Sequence, residues 1–422
     1  MVVEVQINGS QQRDARYITY APAPCHIRQT SAATTLTVTL TSRPAKAGGG
    51  EAVFYATPGA ASQDTLTLAL PADGGWVPFL LGGKWQRPSI EDGDCLLAID
   101  GPSVTQTVAL MVRLRKNANS LTASERNRFL AALAKLNNRG AGKYQVFRNM
   151  HVDAADREEH RGPHFLPWHR AYLLDVERSL QAIDPSVSLH YWRFDQPAPR
   201  IFRSSFMGAT VEVPEGEPGE PVVFDSSNPL SAWATDGVAG ISRSAYFRTE
   251  SSAASGQTGF PVKTQAQTLA TGNEYQSFTA PPQPRLGIES SPHGAAHVSF
   301  GGSISVIDTA VKDPLFFMLH SNVDRLWALW QWLNRRVDPG DIKVYQGQNQ
   351  DGRRLDDSLW PWNGVTTPPR PDFAPGQGLA PTPTTAMPGA QPTIRRVLDD
   401  QGHVDPAARC GAGYDTVPYE FQ

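Results

Sequence analysis

HRGPHFLPWHRAYL (His160–Leu173) and DPLFFMLHSNVDRLW (Asp313–Trp327) are the most informative stretches of this 422-residue chain. In and after the first, Tyr172, Leu173, Val176 and Leu180 recur on one face and Asp184-Pro185 is a stop, so the spacing predicts a helix from His169 to Ile183. In the second, Asp313-Pro314 sets a capping residue before a proline at the first helical position and predicts a helix running to about Arg336. Phe316, Phe317, Trp327 and Trp330 read as its core residues. Each helix carries a histidine: His169 opens the first, and His320 sits midway along the second with Asp324 one turn later.

Thr122-Ala-Ser-Glu125 is a capping box, with Phe129, Leu133 and Leu136 following at helical spacing. Lys143–Val152 is a further helix candidate, and Ser291-Pro292 repeats the cap-then-proline signal. Six of the ten histidines then form two triplets, His151, His160, His169 and His293, His297, His320. On a helix, His293 and His297 leave the same face. Sites built from neutral imidazoles suit zinc, copper, nickel or iron rather than magnesium or calcium. A histidine pair four apart is weak evidence by itself, since most such pairs are core or surface residues. On the residues alone a zinc hydrolase and a catalytically silent partner-binding protein stay open. The hydrolase reading lacks the glutamate of an H-E-x-x-H motif, because Gly294 follows His293. His26, His164, His190 and His403 read as ordinary.

Residues 1–105 have another character. Val2–Ile7, Thr35–Ser42, Ala52–Thr57, Thr65–Leu70, Trp76–Leu81 and Cys95–Asp100 are short runs of Val, Thr, Leu and aromatics between Gly, Pro and Asp clusters. They predict a small all-β, sandwich-like accessory domain with no cluster of reactive side chains. Residues 106–422 form the second domain, mainly α with long loops, the Pro-, Gly-, Ser- and Thr-rich 207–285 among them. A net charge of −3 gives no basic surplus for nucleic acid or an anionic membrane. No apolar run approaches the ~18 residues of a membrane span. Three scattered cysteines (Cys25, Cys95, Cys410) and no visible secretory signal make a reducing, cytoplasmic location the expectation.

The F-L-P-W-H-R core, the nine-residue step from His160 to His169, the H-x-x-x-H pair and D-P-x-F-F…H-S-N-V-D-R resemble the copper-site signatures of the tyrosinase and catechol oxidase (polyphenol oxidase) family of type-3 dicopper proteins, in its bacterial form. RLRKN (Arg113–Asn117) and GYDTVPYEF (Gly413–Phe421) resemble that family's domain start and closing tyrosine motif, so the likeness spans roughly residues 110–422. The resemblance implies a four-helix bundle holding two copper ions, the first on His151, His160 and His169, the second on His293, His297 and His320, with O2 as co-substrate. Asp324, one turn past His320, reads either as the holder of a ligand imidazole's tautomer or as a salt-bridge partner of Arg325 or a helix-surface charge.

The resemblance also implies oxidation of a small phenol: o-diphenols to o-quinones, with weaker ortho-hydroxylation of monophenols. The alternatives are an o-aminophenol oxidase forming quinone imines and a non-enzymatic O2 carrier on the same six-histidine plan. Glu289, four before His293, matches the position of the family's catalytic glutamate, but Gly294 stands where an asparagine would share its water. That substitution predicts strong catechol and weak monophenol turnover. Leu319 replaces a second histidine before His320, Arg193 replaces an aspartate in YWRFD (Tyr191–Asp195), and with Glu158 two before His160 no cysteine is near enough for a thioether. A copper-delivery protein and a homo-oligomer are compatible with the resemblance.

Overall fold

The computed structural model describes residues 3–30, 34–154, 159–210, 221–244, 262–279, 287–347, 352–367, 372, 374 and 378–421. They form two compact units, one of residues 1–115, 381–387 and 399–422, the other of residues 116–380 and 388–398.

The first unit holds β1 (Val3–Ile7), β2 (Tyr17–Ile18), β3 (Ala23–Gln29), β4 (Leu36–Pro44), β5 (Ala52–Tyr55), β6 (Thr65–Leu70), β7 (Val77–Gly83), β8 (Cys95–Gly101) and β9 (Val104–Val112). One sheet has the order β1-β3-β7-β5 and the other β2-β9-β8-β4-β6; among the described residues of these two sheets only the β2–β9 pair is parallel. In β4, Leu36, Val38 and Leu40 point inward while the intervening threonines do not, the period of two a half-buried strand requires. Leu40, Leu97 and Ile99 of one sheet share a core with Ile27, Phe54 and Leu81 of the other. The β expectation thus holds, but β9 crosses the expected limit at residue 105. VTQTVALMV hairpins onto β8 and keeps residues up to Arg115 with the strands. The closing motif packs here too: Arg115 Nη1 donates to the Tyr414 hydroxyl (2.8 Å) and Arg115 N to the Gly413 carbonyl (2.8 Å). All three cysteines are buried free thiols, and burial pushes Cys25 and Cys95 up to about 12.

The second unit is organised by α1 (Ala123–Asn137), α2 (Tyr144–Ala154), α3 (Phe165–Gln181) and α4 (Leu315–Asn334). Thr122 and Glu125 close the capping box on α1. α3 begins earlier than its hydrophobic spacing suggests, because Pro167 in its first turn needs no N–H partner. The Tyr172 hydroxyl of α3 donates to the Phe147 carbonyl of α2 (2.6 Å), and Trp362 Nε1 ties the following loops to Asp175 of α3 (2.8 Å). Long connections dominate between α3 and α4, as expected, although 211–220, 245–261 and 280–286 lie outside the described residues. Beside the helices this chain has substantial β-structure. The second histidine pair does not ride on a long helix of a bundle: Glu289–Gly294 is a wide π-type turn broken by extended backbone at Ser291 (φ −148°, ψ 118°), and Ala295–His297 is a three-residue α-turn. Among the described residues no helix is long and apolar enough to cross a membrane.

α4 is anchored at its start. Asp313 Oδ1 accepts from Leu315 N (2.9 Å), and both carboxylate oxygens face the Arg243 guanidinium (2.6 and 3.0 Å), with neither side chain exposed. Removing one partner of such a pair leaves a buried charge. Asp313→Ala is therefore expected to cost about 3–5 kcal/mol in chemical denaturation; a loss below about 1 kcal/mol would show that the pair does not hold α4.

Candidate metal centre

His151 lies near the end of α2, His160 in the segment before α3, and His169 one turn inside α3 rather than at its opening. All three are buried. His293 ends the wide turn's core, His297 closes the α-turn, and His320 lies in the second turn of α4 with no exposed surface. Within each triplet, one ring nitrogen per histidine lies within 4.8 Å of the others.

Backbone carbonyls set the tautomers. His169 Nδ1 meets the Phe165 carbonyl at 2.8 Å, His293 Nδ1 the Glu289 carbonyl at 2.7 Å and His297 Nδ1 the Ile304 carbonyl at 2.8 Å. A carbonyl only accepts, so Nδ1 carries the proton in each and Nε2 presents its lone pair. Those lone pairs converge: His320 Nε2 stands 3.2 Å from His293 Nε2 and 3.1 Å from His297 Nε2. Buried His169 Nε2 has no hydrogen-bond partner among the described residues. Ligand nitrogens about 2 Å from one ion stand at such separations, so both triplets fit a metal. The two triplets touch, with the rings of His169 and His320 stacked at 4.2 Å and 9°. Phe165 packs against His169 (4.7 Å) and His293 (5.0 Å), and Phe316 against His320 (4.1 Å) and His151 (4.7 Å), so aromatic rings keep water from their sides.

Burial, reinforced by neighbouring imidazoles, holds His151, His169, His293 and His320 well below the usual imidazole range; burial takes His297 down to about 4. They are neutral at pH 7 and able to ligate. A cavity of about 460 Å³ opens onto His151, His160, His293 and His297, with Glu289, Gly294 and the apolar Val298, Ile304 and Ile307 in its wall. Burial raises the Glu289 carboxyl above its ordinary value, partly offset by Arg161 N, which donates to Oε1 at 2.6 Å. Arg161 does so from left-handed backbone (φ 59°), fastening the first triplet's loop to the second's turn.

Of the two readings of Asp324 the structure shows an ion pair: its Oδ1 accepts from Arg170 Nε (2.7 Å) in a buried pair, and Arg170 also stacks on Trp327 at 3.7 Å, so the residue braces α3 against α4, while His320 Nδ1 has no hydrogen-bond partner among the described residues. Arg193, in place of an aspartate, forms a bidentate pair with Asp195 (2.7 and 2.9 Å). Glu158 lies outside the described residues. Phe165, which packs on His169 and His293, is the first residue of the F-L-P-W-H-R core, whereas Glu159 went unread in the sequence. Glu159, adjacent to His160, is fully buried with Oε1 3.1 Å from His151 Nε2 and 3.2 Å from His160 Nδ1.

The family model described as the common central domain of tyrosinase matches residues 141–333. The tyrosinase of Streptomyces glaucescens is 33% identical over 272 residues, covering 60% of this chain and 93% of that protein. This chain belongs to the tyrosinase family. The grixazone synthase of Streptomyces griseus is 30% identical over 313 residues, 61% of this chain and 95% of that protein. Among solved structures, a tyrosinase from Burkholderia thailandensis has 18% identity and TM-score 0.44, covering 72% of this chain and 73% of its own. An octopus hemocyanin functional unit has 20% identity and TM-score 0.40, covering 61% and 62%. Tyrosinases are type-3 copper oxidoreductases, and the two triplets of this family member are positioned to hold metal.

Neutral burial makes the metal-free protein acid-sensitive. Unfolded imidazoles take up protons near pH 6.5, whereas the buried ones resist until lower pH, near 4 for His297. Stability of the metal-free chain is therefore expected to fall as pH drops from about 6.5 towards 4, by up to about 1.4 kcal/mol per pH unit for each such histidine charged only in the unfolded state. Denaturant midpoints at pH 7.5, 6 and 5 check this; a flat or rising series on acidification contradicts it.

Proposed function

We propose that this chain is a dicopper phenol oxidase that uses O2 to oxidise o-diphenols to o-quinones, with weaker ortho-hydroxylation of monophenols. The observation that carries the reading is the stacked contact of His169 with His320, which joins two convergent imidazole triplets, with His151, His160, His293 and His297 lining one cavity. His151, His160 and His169 hold the first ion; His293, His297 and His320 hold the second. Copper bound there supplies two one-electron couples, enough to accept both electrons of a catechol and pass them to O2.

The chain's own residues do the rest. A cavity of about 460 Å³ suits a single aromatic ring, and Val298, Ile304 and Ile307 offer it an apolar wall. Glu289 stands at the same wall with a raised proton affinity, suiting it to receive the phenol proton as that oxygen approaches the centre. The Arg161 amide orients that carboxylate. Gly294 offers no side chain to hold a water beside Glu289, the feature that favours catechols, which ionise more readily, over monophenols. An o-aminophenol asks for the same two-electron chemistry and is the second reading, and a relative named grixazone synthase is among the similar proteins. A copper-delivery protein, a homo-oligomer and a cytoplasmic location remain part of the proposal.

The test is oxygen uptake by copper-loaded protein with catechols, monophenols and o-aminophenols, alongside copper analysis. Two coppers per chain with fast catechol uptake and slow monophenol uptake is the expected result. One zinc per chain, or reversible O2 binding without turnover, overturns the reading. Gly294 has helical backbone (φ −58°, ψ −38°), and a Cβ there meets nothing closer than the Glu289 carbonyl at 3.4 Å. Gly294→Asn is therefore expected to fold and to raise the monophenol-to-catechol rate ratio several-fold; an unchanged ratio would remove Gly294 as the determinant.

A further inference from the structure

The strands of the first unit and the closing motif enclose a cavity that the metal centre does not use. It measures about 420 Å³, within the ~300–1,000 Å³ of small-molecule sites, and its lining residues all belong to that unit. Aromatic rings make much of its wall. Tyr20 and Trp85 meet with ring centroids 5.2 Å apart, and Tyr55 meets Tyr419 edge to face at 6.1 Å. Tyr419 and Phe421 both stack on His403 (4.7 and 4.6 Å), whose Nε2 lies 2.8 Å from the Tyr419 carbonyl, so the closing segment is a braced wall. Gly82 and Gly83 of β7 leave room for the rings: a Cβ on them would stand 3.1 Å from Tyr55 Cε2 and 3.2 Å from Tyr20 Cδ1. Trp85 is 40% exposed and presents its indole to solvent at this cavity.

The polar groups of the wall narrow the choice of ligand. Asp64 Oδ1 accepts from Lys84 Nζ at 2.8 Å, Glu420 Oε1 accepts from Ser62 N at 3.1 Å, and Gln63 adds an amide. The carboxylates disfavour an anion and the ammonium a cation. A wholly apolar guest would strip water from these groups and replace none of its hydrogen bonds. A sugar meets both demands. Its hydroxyls donate to carboxylates and accept from ammonium and amide, and the C–H face of a pyranose packs on the electron-rich face of an aromatic ring. We infer that this cavity is a saccharide site, with Trp85 as its stacking platform and Gln63, Asp64, Lys84 and Glu420 as hydroxyl partners. The inference stands apart from the dicopper reading, since the described residues that line the cavity include none of the six histidines.

The test is calorimetry of the full chain with glucose, galactose, xylose, N-acetylglucosamine and their β-linked disaccharides, alongside co-sedimentation with insoluble cellulose, xylan and chitin. Saturable binding of a soluble sugar alone assigns a free saccharide; retention on a polymer, reversed by its soluble disaccharide, assigns a polysaccharide chain. Either result supports the site when Trp85→Ala weakens binding by about tenfold or more and Trp85→Phe, which keeps a stacking face, retains part of it. Thermal unfolding of both variants is expected to match wild type. Gln63→Ala and Asp64→Asn change exposed side chains, are expected to weaken binding several-fold, and decide the matter if Trp85→Ala does not fold. Binding of no sugar or polymer in the panel overturns the inference, as does sugar binding that all these variants leave unchanged. Saturable binding of tetramethylammonium or phenol that Trp85→Ala abolishes, with every sugar silent, would make the cavity a cation or phenol site and overturn it too.

Discussion

His320 sits where the two triplets meet. Its ring lies flat against His169 at 4.2 Å, and its Nε2 faces the Nε2 atoms of His293 and His297. Nitrogen lone pairs this close repel one another unless a proton or a metal ion lies between them, and burial opposes the proton. The fold therefore holds a cluster whose natural complement is a cation. It tolerates that cluster because the surroundings are rigid: Asp313 and Arg243 fix the start of α4, Arg170 and Asp324 brace α4 against α3, and Arg170 reaches the Val397 carbonyl at 3.0 Å.

Orientation of the rings comes from the backbone. His169 and His293 each point Nδ1 at the carbonyl four residues earlier, one inside a regular helix and the other across a wide turn. Two unlike local structures thus deliver the same tautomer. The wide turn carries a further consequence, since it brings Glu289 and Gly294 to one cavity wall beside His293. Gly294 is thus a point of that wall where an added Cβ would meet nothing closer than the Glu289 carbonyl at 3.4 Å.

Much of this was legible in the amino acids. Capping and periodicity located α1, α2, α3 and α4, and the triplets read as ligands once their aromatic and proline context was taken with them. What stayed hidden has physical causes. β3 escaped notice because Pro24 interrupts it; the strand survives because only Cys25–Gln29 pair with β1, leaving Pro24 beyond that ladder. β9 escaped because its alternation is weak at Thr105–Thr107 and clear only where Val108 and Leu110 turn inward. The irregular backbone under His293 follows from tertiary packing, and an i, i+4 pair looks the same on a helix as on a π-turn followed by an α-turn. Glu159 reads as a surface charge beside Glu158 until the fold closes over it.

Diffraction from copper-loaded crystals on both sides of the copper absorption edge tests the central claim most directly. The account predicts two anomalous peaks in each chain, one among His151, His160 and His169 and the other among His293, His297 and His320. A single peak, or copper bound elsewhere with these six side chains turned apart, would contradict it.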